Sequence, residues 1–224
     1  MEKQELKHLQ ITELRTFGRR HGKKLSSRKQ WLMDNLLPKT SPNVTECGKK
    51  LVFLEIGFGN GEHLRDLATN NPDTIIIGAE PFVNGVAALL SAITNESDNT
   101  LFNEYKNIRI YPDDVRILLH STDFESVKFT QIWILHPDPW PKAKHEKRRL
   151  LNYDFLNLLS KHLTNNGEII IGTDHWEYYD WINEQLKQTK LKIKSTSMDT
   201  IKTRYQLKNK AGTSEPKYLI LTNN

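Results

Sequence analysis

Cysteine is almost absent from this chain of 224 residues: Cys47 stands alone, so no internal disulfide and no cysteine-rich zinc or iron–sulfur cluster can be built. That scarcity suits a reducing compartment, and Cys47 reads as a bystander rather than a nucleophile. Long apolar runs are missing too. None approaches the roughly 18 residues of a membrane-spanning helix, which excludes a helical membrane protein. A hydrophobic share of 37% and a charged share of 26% are those of a soluble globular chain. The opening Met1-Glu2-Lys3-Gln4-Glu5 leads into no apolar segment, so no secretory signal is expected and the cytoplasm is the expected location. There is no internal repeat, no low-complexity stretch, and no constellation that suggests a metal.

Acids are missing from one stretch and nearly so from another. Arg15, Arg19, Arg20, Lys23, Lys24, Arg28 and Lys29 follow one another with no Asp or Glu between them. Lys142, Lys144, Lys147, Arg148 and Arg149 are opposed only by Glu146. Without these 12 bases and 1 acid, the totals of 32 and 27 fall to 20 and 26, a remainder of −6. An acidic body with two basic patches is the electrostatic footprint of a protein that grips phosphates, because clustered Lys and Arg release counterions. Either patch alone would pass for a solvated face; the pair with an acidic remainder points to a polyanion.

The chain is long enough for one large domain or two small ones. Residues 1–48 read as a basic N-terminal arm with one amphipathic stretch from Ser27 to Leu37, ended by Pro38 and followed by the linker Thr40-Ser41-Pro42-Asn43. Residues 49–224 read as the main domain. There, short apolar runs at Leu51 to Ile56, Thr74 to Ala79, Ile108 to Tyr111, Gln131 to Leu135 and Glu168 to Gly172 alternate with helix-length stretches. Such alternation predicts βαβ units and a doubly wound parallel sheet, an α/β fold. Leu191 to Ser195 and Lys217 to Thr222 read as two late strands forming an antiparallel edge.

The first run ends in Leu54-Glu55-Ile56-Gly57-Phe58-Gly59-Asn60-Gly61-Glu62, with a helix expected from near Glu62. In an open α/β sheet, ligands bind outside the carboxyl ends of the strands, and glycines there let the backbone turn tightly and approach a ligand. Glu80 closes the second run, where an acid accepts from ribose hydroxyls. Asp113 and Asp114 follow the third, where an adenine amino group can be met. A dinucleotide would need its pyrophosphate at the helix N-terminus, yet Glu55 and Glu62 flank the loop and repel it. S-adenosylmethionine, a cationic sulfonium without phosphate, suits acidic surroundings.

The fourth run continues into His136-Pro137-Asp138-Pro139-Trp140-Pro141-Lys142, a loop whose three prolines fix φ and hold Asp138 in place. Together with Leu54 to Gly61, His145-Glu146-Lys147-Arg148-Arg149-Leu150, Thr173-Asp174 and Thr203-Arg204-Tyr205-Gln206, it closely resembles the bacterial tRNA (guanine-N7-)-methyltransferases of the TrmB type. The resemblance runs from about Arg15 to the end, and the Asp-Pro-Trp segment with its downstream Lys-Arg-Arg is its specific part.

The resemblance implies a class I S-adenosylmethionine-dependent methyltransferase, Rossmann-like, with a mostly parallel seven-stranded sheet. It implies methyl transfer from S-adenosyl-L-methionine to N7 of a tRNA guanine, guanine 46 of the variable loop, by a monomer or homodimer. Glu55, Gly57, Gly59, Gly61, Glu80 and Asp114 are then expected at the cofactor and Asp138 at the catalytic centre. Lys142, Asp174, Thr203, Arg204, Tyr205 and Gln206 are expected at the guanine. Arg19, Arg20, Lys23, Lys24, Lys147, Arg148 and Arg149 are expected on the RNA backbone, the last three opening the next helical stretch. The family usually has Glu where this chain has Gln206, and an amide offers one acceptor oxygen where a carboxylate can meet both N1–H and the 2-amino group of guanine. Guanine N7 carries an in-plane lone pair, so no general base is needed, and Asp138 either supplies a negative field for the cationic product ring or reads the guanine edge. Trp140 or Tyr205 could stack on an exposed base, while His175, Trp176 and Tyr178 read as helix packing. Two other readings stay open: an exocyclic-amine methyltransferase, disfavoured by the order Asp-Pro-Trp, and a non-catalytic tRNA-binding module.

Overall fold

The computed structural model describes residues 16–197 and 215–223. Among them, strands β1 (Val52–Ile56), β2 (Ile75–Ala79), β3 (Ile108–Tyr111), β4 (Phe129–Leu135), β5 (Leu163–Thr173), β6 (Lys192–Ser195) and β7 (Lys217–Thr222) form one sheet in the order β3-β2-β1-β4-β5-β7-β6. The first five are parallel, and β7 runs antiparallel to both β5 and β6. This is the expected mostly parallel sheet with an antiparallel edge. β1 and β2 are buried at every residue, as central strands covered on both faces must be.

Side chains alternate between the faces. Leu54 and Ile77 join Phe155, Leu159 and Ile182 on one side, from α6 (Tyr153–Lys161) and α7 (Trp176–Leu186). Phe53, Ile76 and Trp133 join Leu32, Leu64 and Val86 on the other, from α1 (Ser27–Asn35), α3 (Glu62–Asn70) and α4 (Val83–Ala92). The short helices α2 (Val44–Cys47) and α5 (Val115–His120) complete the set. In α3, Leu64, Leu67 and Ala68 recur at the three- and four-residue spacing of one helical face. Its C-terminal end is satisfied by buried Asn107, whose Nδ2 donates to the carbonyls of Ala68, Asn71 and Thr74.

The basic arm contributes to this core. Leu32 of α1 is fully buried, and Arg28 donates to Asn99 Oδ1, Ser91 Oγ and Thr94 Oγ1, fastening α1 beside α4. Arg28 is thereby withdrawn from the phosphate-facing patch in which its sequence neighbours placed it.

Two boundaries differ from expectation. β5 begins at Leu163, five residues before Glu168, because Leu163 pairs with Phe129 ahead of a register shift. Lys147 and Arg148 do not open a helix: they end a 3-10 turn spanning Ala143–Arg148. Helix α6 starts later because the Asn152 side chain accepts from Phe155 N at 3.0 Å and caps it.

The register places Ile56 beside Ala79 and Ala79 beside Tyr111, so the loops leaving β1, β2 and β3 emerge side by side. After β3 the chain crosses to the other flank of β1, and the crevice at this reversal lies between the loops after β1 and β4.

At the outer margin, β6 presents Lys192, Ile193 and Lys194 to solvent, with the Lys194 ammonium on Glu168 at 2.6 Å.

Candidate active site

A cavity of about 370 Å³ opens at the carboxyl ends of β1, β2 and β4. Gly57, Glu80, Asp114, Asp138, Arg19, Arg20, Lys147, Arg148 and Arg149 line it, drawn from six separate stretches of sequence. Glu55, Gly59, Gly61, Lys142 and Asp174 lie outside the lining, as do Lys23 and Lys24. Thr203, Arg204, Tyr205 and Gln206 fall outside the described residues.

The glycine loop is held by its neighbours. Gly57, Gly59 and Gly61 all have positive φ, at 75°, 59° and 81°. In that left-handed turn the Gly59 amide points back and donates to Glu80 Oε2 at 2.8 Å, while Phe82 N donates to Oε1 at 2.9 Å. Glu80 thus staples the loop to the end of β2. A residue that sequence reasoning missed makes this approach possible: a Cβ on Gly85 of α4 would lie 2.4 Å from the Gly59 carbonyl oxygen.

The acids differ in environment. Burial pushes the Glu80 carboxyl above the usual carboxylate range; its two backbone N–H partners oppose this, and the charges of Asp138 and Glu55 add to it. Glu55 is 3% exposed, its Oε2 3.2 Å from His63 Nδ1, and the His63 ring lies 4.8 Å from that of Trp133. Asp114 caps α5 and takes both Nε and Nη2 of Arg116, at 2.9 and 2.6 Å. Burial would raise its carboxyl, but the Arg116 guanidinium and the Thr16 hydroxyl at 2.7 Å outweigh that and hold it below the usual range. Asp138 is exposed between its prolines.

The end of the arm lies across this cavity. Besides the Thr16–Asp114 bond, Arg20 donates to Asp113 at 2.6 Å and its carbonyl accepts from Val83 N at 3.0 Å. The Arg148 guanidinium sits between the rings of Phe17 and Trp140, at 5.4 and 4.9 Å from their centroids. Thr16 and Phe17 carried no sequence signal, because their partners, Asp114 and Arg148, are distant in the chain.

The loop after β4 is strained at both ends. His136 and Trp140 have φ of 51° and 43°, uncommon for bulky side chains and concentrated at functional sites. His136 lines the cavity with its Nδ1 3.7 Å from Asp174 Oδ1; burial lowers its pKa below the ordinary imidazole value, with Asp174 opposing. Trp140 offers no free ring face for stacking on the Arg148 side, and its ring meets His145 edge-on at 5.6 Å.

Arg149 departs from the backbone-gripping expectation. It is 5% exposed, and its Nε and Nη2 donate to the Pro139 and Trp140 carbonyls at 2.9 and 3.4 Å. A guanidinium so enclosed cannot reach an RNA phosphate. Trp176 departs in the other direction: Tyr178 is fully buried, as packing requires, but Trp176 is 60% exposed beside Asp174. Among the described residues no group of three or more His, Cys, Asp or Glu side chains is placed to hold a metal ion, and no helix is long and apolar enough to cross a membrane.

A sheet in the order 3-2-1-4-5-7-6, with a glycine loop after its central strand and an acid closing the next, defines a class I, Rossmann-like methyltransferase. The solved structure of an antibiotic-related methyltransferase shares this fold with a TM-score of 0.58, covering 90% of this chain and 97% of that one at 14% identity. Residues 49–218 match a family model described as "Putative methyltransferase". A tRNA (guanine-N(7)-)-methyltransferase of Wolbachia pipientis wMel is 44% identical over 140 residues, 62% of this chain and 59% of that protein's length. Its counterpart in Neorickettsia sennetsu (strain ATCC VR-367 / Miyayama) is 34% identical over 195 residues, 87% and 85% of the two chains. The chain belongs to the tRNA (guanine-N(7)-)-methyltransferase family.

Proposed function

We propose that this protein transfers the methyl group of S-adenosyl-L-methionine to N7 of a tRNA guanine, guanine 46 of the variable loop, in the cytoplasm and as a monomer or homodimer. The observation that carries the reading is the acid cluster at the cavity. Glu80 is buried there with its carboxyl raised in part by the charges of Asp138 and Glu55, so a cationic ligand relieves what burial costs. The helix after the glycine loop opens on Glu62, which disfavours a phosphate at that end. These residues therefore fit a sulfonium cofactor: Glu80 and the loop it staples take its ribose side, Glu55 lies behind that loop, and Asp114 marks the adenine side. When bound, the cofactor supplies an electrophilic methyl group.

The chain's own groups position and polarise. Guanine N7 needs no proton removed, so no general base is required, and alignment of the reacting atoms carries the catalysis. Asp138 lies exposed at the cavity, where its carboxylate favours the positive charge that the purine ring gains. Lys142, Asp174 and the 203–206 segment hold the guanine. Exposed Arg19, Lys23, Lys24 and Lys147 meet the RNA backbone, and Arg20 and Arg148 take part from the cavity wall.

The test is to incubate unmodified tRNA with radiolabelled S-adenosylmethionine and then treat it with borohydride and aniline. N7-methylguanine is cleaved under these conditions, so labelled RNA should break at one position. Label without cleavage would indicate an exocyclic amine as acceptor, and no label would indicate a binding module. Either result would overturn the reading. In the same assay, Asp138→Asn should lower turnover about a hundred-fold while cofactor affinity changes little.

A further inference from the structure

Three of the five residues from Pro137 to Pro141 are prolines, so this loop has few N–H groups and cannot satisfy its own carbonyls. Trp140, at positive φ, turns its peptide away from any regular ladder. The carbonyls of Pro139 and Trp140 directly follow Asp138, and both are met by one side chain, Arg149. Its third nitrogen, Nη1, lies 3.5 Å from Glu146 Oε1. Its guanidinium carbon lies 5.1 Å from the Trp181 ring centroid and 5.7 Å from that of Tyr178, both on α7. Tyr178 is itself fully buried, with its hydroxyl accepting from Leu151 N at 3.3 Å.

We propose that Arg149 is a positioning residue: it clamps the backbone immediately after Asp138 and ties that loop to α7, the helix that begins just beyond Asp174. Burying a guanidinium is costly, and an apolar side chain could fill the space between two aromatic rings more cheaply. What an apolar side chain cannot do is donate to two adjacent carbonyls in a loop depleted of donors. The planar fork of arginine does so while its faces rest on Tyr178 and Trp181. The loop carrying Asp138 and the loop carrying Asp174 are thereby registered to one another through a single side chain. The proposal rests on the methyltransferase reading for its consequence in turnover, but the clamp is a property of this chain alone.

Arg149→Lys keeps the charge and loses the fork. In this variant kcat for tRNA methylation should fall about ten-fold or more, because small displacements of an aligned group are expensive. Affinity for S-adenosylmethionine should stay within about two-fold, and the slope of tRNA affinity against salt concentration should be unchanged. The charge-removing Arg149→Gln tests the alternative: a phosphate-gripping Arg149 would there give a higher KM for tRNA and a salt slope lower by about one, with kcat preserved, whereas a clamp leaves the slope unchanged. The phosphate-gripping pattern, or an unchanged kcat in the lysine variant, overturns the proposal. Trp181→Leu, which removes one wall of the cage from a partly exposed site, should lower kcat several-fold with the same unchanged salt slope, and it serves where the lysine variant does not fold. A readout free of methyl transfer separates the two readings. Hydrogen exchange of the peptide spanning residues 138–150, in which the amides of His145 and Arg149 donate to the Lys142 and Glu146 carbonyls, should quicken in Arg149→Lys while the β1 and β2 peptides stay protected. If wild-type protein does not methylate tRNA but this local exchange quickens, the clamp stands and the methyltransferase reading falls. If wild-type protein is active and the exchange is unaltered, the clamp falls alone.

Discussion

His136 shows how one buried group links protonation to folding. Burial lowers its pKa against the pull of Asp174, so the folded protein prefers the neutral ring. As pH falls below the ordinary value of about 6.5, the unfolded chain takes up this proton before the folded one does, and stability is lost through that window. Above it the contribution is complete. Because a second buried imidazole, His162, shifts in the same direction, the contrast must be drawn between proteins. Asparagine tolerates the left-handed backbone of residue 136, so His136→Asn is the suitable variant. Urea midpoints at pH 7.5 and 5.5 should differ less in that variant than in the wild type; an equal drop would remove His136 from the account. Charge alone could not have separated Arg149 or Arg28 from their neighbours in the sequence. In a run of bases every residue reads alike, and only the carbonyls and hydroxyls that each guanidinium meets in the fold tell a clamp from a phosphate hand.

The elements themselves were largely legible. β1 and β2 are buried on both faces, so their runs are continuously apolar and stand out from the amphipathic stretches between them. The start of β5 was not, because Thr164-Asn165-Asn166-Gly167 has the composition of a turn although the strand continues through it. α1 was visible as a helix, but not as part of the core. Its Leu32 is fully buried among Phe53, Leu64 and Val86. Leu32→Ala should therefore cost about 2–5 kcal/mol of unfolding free energy by chemical denaturation. A loss below about 1 kcal/mol would mean that the arm contributes little to the main domain. The Thr16–Asp114 contact, which lays the arm across the cavity, joins residues 98 positions apart, and no local pattern carries such information.

At the scale of the whole molecule, the two basic stretches meet at the cavity, which Arg19, Arg20, Lys147 and Arg148 line together, while the rest of the chain is net acidic. Six exposed bases, Arg19, Lys23, Lys24, Lys142, Lys144 and Lys147, stand free of the packing that absorbs Arg28 and Arg149. Affinity for tRNA should fall about a hundred-fold or more between roughly 50 and 200 mM salt, measured by filter binding. A flat response would withdraw these residues from RNA contact. The sheet meets the opposite problem at its margin. A strand edge with open N–H and C=O groups is a template on which another strand can add. At β6 two ammonium groups, Lys192 and Lys194, flank Ile193 along that edge. A second copy joining there would bring Lys192 against lysine, so the strand that ends the sheet among the described residues also resists fibril growth, and crowded solutions of this protein should stay clear where a Lys192→Val, Lys194→Val variant turns cloudy.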